Sequence, residues 1–353
     1  MSAKSAGAPP APIAGTDEDL EHARARKPQK SSLWSRFDHS VVPFILISPF
    51  FILFVAFGIF PIVYSGLISF QSYRNEYPVS RDGTSINVFT ERWVGLENFE
   101  RTLTSWDFWQ ALINTFGLFI LSAVPQLLLA LIIASLLNRR LRMQSVFRVG
   151  ILVPYITPIV ASSIVFVTFF DNAGQANWIL GLLGVESSMG LNSTSTMDGI
   201  DWRNQRWSAW LAIIIMINWK WTGYNALLYL AAMQSIPKDV YEAAALDGAG
   251  AWRQLWSITV PMIRPMVIFT VVLATIGSLQ LFAEPVQFDE NPASGQGGGN
   301  RHLWRTVAQL IWFTGWSQTN FGFAGAMSWV LFVVVVLVAA FNGWLTNKIG
   351  GRK

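Results

Sequence analysis

The 353-residue chain contains no cysteine. A disulfide framework, a thiolate nucleophile and any Cys-ligated metal site are thereby excluded. Charge is scarce too: Asp, Glu, Lys and Arg make up 13% of the residues, about half the ~25% typical of soluble domains. That scarcity rules out an ordinary soluble enzyme and a disordered chain. Histidine occurs only at His22, His39 and His302, scattered through polar segments and read as solvated surface rather than as metal ligands. No Gly-x4-Gly-Lys-Ser/Thr loop is present, so the chain does not hold ATP in the Walker manner. Neither His-Glu-x-x-His nor Gly-x-Ser-x-Gly occurs. The net charge of +4 gives no support to a nucleic-acid partner.

What the chain does have is apolar length. Hydrophobic residues make up 52% and aromatic residues 14%. Six apolar runs, near 42–70, 111–137, 149–170, 207–233, 266–286 and 322–346, are each able to cross ~30 Å of hydrocarbon as a helix. The expected fold is an all-α membrane protein of six transmembrane helices over residues 41–350. Residues 1–40 carry few large apolar side chains and are expected to form a disordered polar tail. The run beginning near Val41 is too long for the core of a signal peptide. Pro125, Pro154 and Pro158 fall inside runs and are expected to be static kinks. Gly295 to Gly299, with Arg301, is expected to form a flexible outer loop.

Basic residues orient the bundle. Loop 138–148 carries Arg139, Arg140, Arg142 and Arg148 and no acid. With the N-terminal tail, loop 234–265 and the C-terminus, the same side holds most of the Lys and Arg. The positive-inside rule makes that side cytoplasmic, both termini included, and the setting a plasma (inner) membrane.

Loop 234–265 is the most informative segment. Pro237 suits a first helical turn, and Tyr241 to Leu246 is strong helix sequence. Gly248 and Gly250 permit a sharp bend. Trp252 to Val260 can form a second short helix, which Pro261 is expected to stop. The product is a polar helix–turn–helix elbow, with Ala243, Ala244 and Ala245 offering close approach beside Glu242 and Asp247. Read from these residues alone, it is either an interfacial connector or a knob for a partner's groove.

Glu242-Ala243-Ala244, Asp247-Gly248 and Ile258-Thr259-Val260-Pro261 keep the register of the Glu-Ala-Ala signature of ATP-binding-cassette (ABC) importer permeases, and the loop resembles it closely. Val260 replaces the usual Leu. Trp219 to Asn225, Gln234 to Pro237, Val94 to Phe99, Leu152 to Pro154, Asn177-Trp178 and Phe321 to Ala326 are similar to the maltose-type carbohydrate permeases. Leu281 to Pro285, with the glycines running into Asn300-Arg301, is similar to cellobiose-type and related β-glucoside permeases. The resemblance covers about 40–350. It implies the six-helix ABC importer permease fold with cytoplasmic coupling helices, a second homologous permease subunit, two ABC ATPase subunits and an extracytoplasmic solute-binding protein. ATP and magnesium would sit on the ATPases, with no cofactor on this chain. Tyr241, Glu242, Ala243, Ala244, Asp247, Gly248 and Pro261 would couple it to the ATPase. Glu242 would touch the nucleotide-binding subunit, and Ala243 and Ala244 would pack against it.

Polar groups inside spans are costly and often functional. On the fourth run these are Asn218, Lys220, Thr222, Tyr224 and Asn225, with Trp219 and Trp221 beside them; on the fifth, Thr270, Thr275, Ser278, Gln280 and Glu284. Sugars offer hydroxyls to amides and flat C–H faces to aromatic rings, so Asn218, Trp219, Trp221, Tyr224, Asn225, Thr275, Ser278 and Gln280 form the candidate substrate path. The maltose-type resemblance implies the same two spans. Lys220 is expected to snorkel or to pair with Glu284. Three other readings stay open. The first is a glycerol phosphodiester or glycerol-3-phosphate cargo, which would want Arg or Lys in the path. The second is a membrane-embedded glycosyltransferase-type enzyme, for which Asp171, Asp198 and Asp201 are the nearest acidic group. The third is a channel acting alone, which leaves the elbow without a role.

Overall fold

The computed structural model describes residues 42–76, 88–139, 142–183, 199–289, 297–299 and 301–350. The expected tail 1–40, together with Arg140, Asp198, Gly295 and Asn300, lies outside the described residues. The chain divides into Met1–Val63 and Tyr64–Lys353. In the first unit the apolar run forms α1 (Val42–Phe54), continues through a π turn (Val55–Ile59) and enters α2 (Phe60–Ser69).

The second unit is built on two long helices. Ser105 accepts a hydrogen bond from the Phe108 N–H (3.4 Å) and starts α4 (Trp106–Leu137), with Asp107 in its first turn. The helix begins five residues before the apolar run because this cap lies in the polar segment ahead of it. It continues through Pro125. α8 (Arg206–Gln234) packs along α4, with Ala130, Ala134, Ala209, Ala212 and Ala226 buried in the unit.

Between them, the run 149–170 is not one helix. α5 (Gln144–Ile156) and α6 (Ile159–Phe169) meet at 90°. Pro158 has no N–H to give, and the residue before proline is pushed out of the helical region; Thr157 is extended, with ψ of 130°. The expected kink is therefore a full break at Thr157-Pro158, whereas Pro154 stays inside α5. α7 (Gln175–Leu182) follows.

The elbow comprises α9 (Lys238–Leu246), α10 (Ala251–Gln254), a π turn (Leu255–Thr259) and α11 (Val260–Met262). Pro261 does not stop the helix. The π turn re-phases the backbone ahead of the proline ring, which would otherwise meet the carbonyl four residues back. The turn comes at Ile263, where α12 (Arg264–Leu279) departs at 77°. α12 ends seven residues short of the expected span, and α13 (Ala283–Gln287) follows an unwound Gln280–Phe282. α14 (Val307–Trp312) and α15 (Phe321–Gly350) complete the unit.

Three helices are long and apolar enough to cross a membrane, at Phe44–Ser69, Trp106–Leu137 and Phe321–Leu345, and two bent pairs qualify together. α8 has the length, 29 residues, but its middle is interrupted by Asn218, Lys220, Thr222 and Asn225. The fold is helical apart from one hairpin among the described residues. Its strands are β1 (Gln71–Glu76) and β2 (Val88–Trp93), antiparallel with Gln71 opposite Trp93. A turn at Gly95 (φ +60°) leads into α3 (Glu97–Thr104). Asn98 donates to the carbonyls of Ser69 and Gln71, both at 2.9 Å, so part of the family-like Val94–Phe99 segment is a structural clasp.

The glycine-rich segment is packed rather than loose where it is described. Gly297, Gly298 and Gly299 all have positive φ, and a Cβ on Gly298 would lie 2.5 Å from the Arg305 nitrogen. Asn114 of α4 donates to the carbonyls of His302 (3.0 Å) and Arg305 (3.1 Å). Thr306 caps α14 in a box with Gln309 and donates to the Leu281 carbonyl at 2.7 Å.

Burial, and then the Arg305 charge, holds the His302 imidazole below its usual value of 6.5. The folded chain therefore binds the proton less readily than the unfolded one. The turn keeps its full stability above that usual value and loses it progressively as pH falls from there through the lower folded-state value. The thermal midpoint of the purified chain is expected to drop between pH 8 and pH 5.5. His302→Gln should remove part of that drop, and an identical profile in the variant refutes the assignment.

Candidate functional site

Two sites lie at different depths. The first is a cavity of about 470 Å³ halfway along α4 and α8, within the ~300–1,000 Å³ range of small-molecule sites. Ile217, Trp221, Tyr224 and Asn225 reach it from one face of α8, and Leu273, Ala274, Gly277 and Ser278 from one face of α12. Both sets follow the three- and four-residue repeat of a helix. Gln280, Leu281, Phe282 and Glu284 come from the unwound stretch and α13, Tyr155 and Ile159 from the two sides of the α5–α6 break, and Gln126 from α4. The aromatic wall is ordered. Tyr155 stacks on Tyr224, with centroids 4.6 Å apart at 17°, and meets Trp221 edge-on at 5.5 Å. Such a wall offers π faces beside amide and hydroxyl groups.

Five of the eight residues expected in the substrate path line this cavity: Trp221, Tyr224, Asn225, Ser278 and Gln280. Asn218, Trp219 and Thr275 do not. Trp219 packs edge-on against Phe166 at 5.3 Å. Thr275 donates to the Val271 carbonyl and accepts from Asn342 of α15 at 3.0 Å. Asn218 lies off the lining face, its Oδ1 buried without a partner among the described residues. Their helical phase turns them away, a distinction that residue type cannot make. Gln126 and Tyr155 are lining residues that polarity counting did not single out. An amide at mid-span, beside Pro125, was the available signal for the first.

The expected Lys220–Glu284 pair is not formed. Lys220 Nζ donates to the Thr157 carbonyl at 2.7 Å. The broken helix strands that oxygen, and Lys220 satisfies it. Glu284 Oε1 instead accepts from Trp221 Nε1 at 3.4 Å.

The second site is the elbow. α9 closes with a left-handed Gly248 (φ +76°), an Ala249 N–H bonded to the Ala244 carbonyl (2.9 Å) and a Gly248 N–H bonded to that of Ala245 (3.1 Å). This is a Schellman-type stop. Tyr241 bonds Thr259 across the two arms at 3.0 Å, and Gln254 donates to the Ala249 carbonyl at 2.8 Å. Leu255 and Ile263 sit in one apolar cluster with Leu137 of α4 and Met233 of α8, and Val240 and Tyr241 pack against it. Glu242, Ala243, Asp247, Gly248 and Pro261 are exposed, and Leu246 projects with 91% of its surface free. Ala244 is buried. It belongs to the inner stripe with Val240 and Tyr241.

Of the acids considered for an enzyme, Asp171 and Asp201 are engaged in local structure. Asp171 pairs with Arg203 at 3.5 Å, and Asp201 accepts from the Arg203 and Asn204 backbone and from the Asn204 side chain. Among the described residues no group of three or more His, Cys, Asp or Glu could hold a metal. Asn177, from the family-like Asn177-Trp178, bonds the Ile200 backbone and Trp202 and so knits a loop.

Residues 126–350 match the family described as "Binding-protein-dependent transport system inner membrane component". The chain is 29% identical to the arabinooligosaccharides transport system permease protein AraP of Halalkalibacterium halodurans, over 94% of this chain and 96% of that one. It is 33% identical to the lactose transport system permease protein LacF of Rhizobium radiobacter, over 74% and 85%. In fold it is similar to a chain of a bacterial alginate ABC transporter solved in complex with an alginate pentasaccharide-bound periplasmic protein. That match has a TM-score of 0.71 and 20% identity, and covers 90% of this chain and 98% of the other.

Proposed function

The chain belongs to the binding-protein-dependent transport system inner membrane component family, and from that premise we propose that it is the pore-forming subunit of an ABC importer for a di- or oligosaccharide. It is a multi-pass membrane protein and a transport subunit rather than an enzyme. One observation carries the sugar reading: the mid-helix cavity combines a three-ring aromatic wall with Gln126, Asn225, Ser278 and Gln280. Flat rings and neutral amides suit stacked C–H faces and hydroxyls. The sugar-permease relatives support the same cargo class. A phosphate-bearing cargo is not favoured, since no lining residue is Lys or Arg and Lys220 is committed to Thr157. A β-linked, cellobiose-like disaccharide remains the finer proposal.

The elbow is proposed to face the cytoplasm, with both chain termini, and to seat in an ATPase subunit. Glu242, Ala243, Leu246 and Asp247 form the docking surface, and Gly248 sets its shape. Two ATPases holding ATP and magnesium, a second homologous permease and an extracytoplasmic binding protein complete the assembly. Closure of the ATPase pair would push on α9. Because Tyr241 and Thr259 join the arms and the apolar cluster joins them to α4, α8 and α12, the push reaches the helices that wall the cavity. The cavity then passes from inward-facing to outward-facing access.

Extraction of the full chain in mild detergent is expected to bring along a nucleotide hydrolase and a second six-span protein. Reconstituted with its binding protein, the assembly should take up a labelled disaccharide only with ATP. A homo-oligomer that is active alone would end the subunit scheme, and ATP-driven uptake of phosphodiesters but not sugars would end the cargo reading.

A further inference from the structure

The charge content of the cavity is one-sided. Of its lining residues, Glu284 is the only acid, and none is Lys, Arg or His. Glu284 is 4% exposed, at the start of α13. Beyond the break at Gln280–Phe282, a separate short helix sets it against the cavity. The one inter-residue hydrogen bond to its carboxylate among the described residues comes from the Trp221 indole at 3.4 Å, a long contact for an N–H donor. No cation lies within ion-pair distance among the described residues. Lys220, next to Trp221 in sequence, gives its ammonium to the Thr157 carbonyl rather than to Glu284.

Resting on the carbohydrate reading of this cavity, we propose that Glu284 is a specificity-determining residue that makes the site accept uncharged and amino-bearing sugars and reject sugar acids. A hydroxyl or ammonium group donates to a carboxylate, and a charge-assisted bond of that kind is stronger than a neutral one. A uronate would place a second negative charge in the same desolvated space with no cation to receive it, which the site answers with repulsion. Selection by repulsion needs only one such charge, because specificity is a difference between two affinities. Trp221 both stacks against the cargo and holds Glu284 at the wall, so the ring and the charge act as one unit.

The test uses the full chain, purified with the transporter subunits that accompany it, in lipid nanodiscs without the binding protein. Tryptophan fluorescence is titrated with maltose, lactose and cellobiose, then with the uronic-acid and amino-sugar counterparts of the tightest binder. The neutral sugar is expected to bind at least about tenfold more tightly than its uronate, and the amino sugar at least as tightly as the neutral one. Glu284→Gln should narrow the neutral-to-uronate ratio to under about threefold. Gly343→Ala, on α15 and outside the lining, should leave the ratio intact. If a neutral disaccharide binds and its uronate binds equally well or better, the selection role is wrong and the carbohydrate reading stands. If no disaccharide binds, the carbohydrate reading itself falls. The wild-type titrations separate these outcomes even if Glu284→Gln does not insert.

Discussion

Gly223→Ala is expected to cost the protein about 3 kcal/mol or more, at the top of the range for overpacking, and to abolish cargo binding. Gly223 lies on α8 where the Ile151 carbonyl of α5 comes closest, and a Cβ there would overlap that oxygen and its carbon. The obstacle is backbone on a packed helix, so no rotamer change relieves it and the two helices must separate. Separation moves Tyr155 away from Tyr224 and Trp221, and the aromatic wall opens. The same chemical change elsewhere supplies the control. Gly150 on α5 and Gly343 on α15 have nothing within 4 Å of a built Cβ, and alanine there should be neutral or stabilising by up to ~1 kcal/mol. Thermal midpoints of the three variants, with sugar titration, decide the matter. A Gly223→Ala protein as stable as Gly150→Ala would mean that α5 and α8 do not approach so closely.

Gly248→Val should separate fuel use from transport. The residue holds φ +76° with open space around it, so the penalty comes from backbone conformation rather than crowding. A left-handed position costs an L-residue ~1–2 kcal/mol, and a β-branched one is a genuine outlier there. The Schellman-type stop of α9 would unwind or re-aim, and the exposed face of Glu242, Ala243, Leu246 and Asp247 would no longer present as one surface. In vesicles holding the complete transporter, ATP hydrolysis is expected to persist while sugar uptake falls at least about tenfold, as ~1.4 kcal/mol implies. Gly248→Asn should retain much of the uptake, because Asn visits this conformation readily. Normal uptake by the valine variant would remove the elbow from the coupling path.

Residue type and spacing revealed the helices and the elbow because both depend on local signals. Ser105 starts α4, Gly248 ends α9 and Pro158 breaks the third run, each by a rule that operates within a few residues. The unwinding at Gln280–Phe282 was legible only through Pro285, whose ring would meet the Leu281 carbonyl of a continuous helix. It is stabilised from 25 residues away, by Thr306 bonding the Leu281 carbonyl. The cavity wall was half legible for a similar reason. Polarity brought Asn218 and Thr275 forward along with Asn225 and Ser278, but only the rotation of each helix against its neighbours separates lining residues from those turned to other packing. Tyr155 needed the break at Thr157 to be known before its ring could be placed. Charge alone assigns Lys220 to the carboxylate on the next span, yet the nearer demand was a stranded peptide oxygen, and hydrogen-bond accounting outranked charge pairing. The glycine-rich stretch read as slack because composition cannot distinguish glycine needed for freedom from glycine needed for fit, as at Gly298 against Arg305.

The Thr306–Leu281 link makes the outer turn and the cargo wall a single mechanical piece. Arg301 stands exposed on that piece, and the chain has no native thiol. A single spin label or dye attached through a cysteine introduced at Arg301 would therefore ride with the wall and report its opening and closing from the membrane surface, with no probe inside the cavity to disturb the passage of sugar.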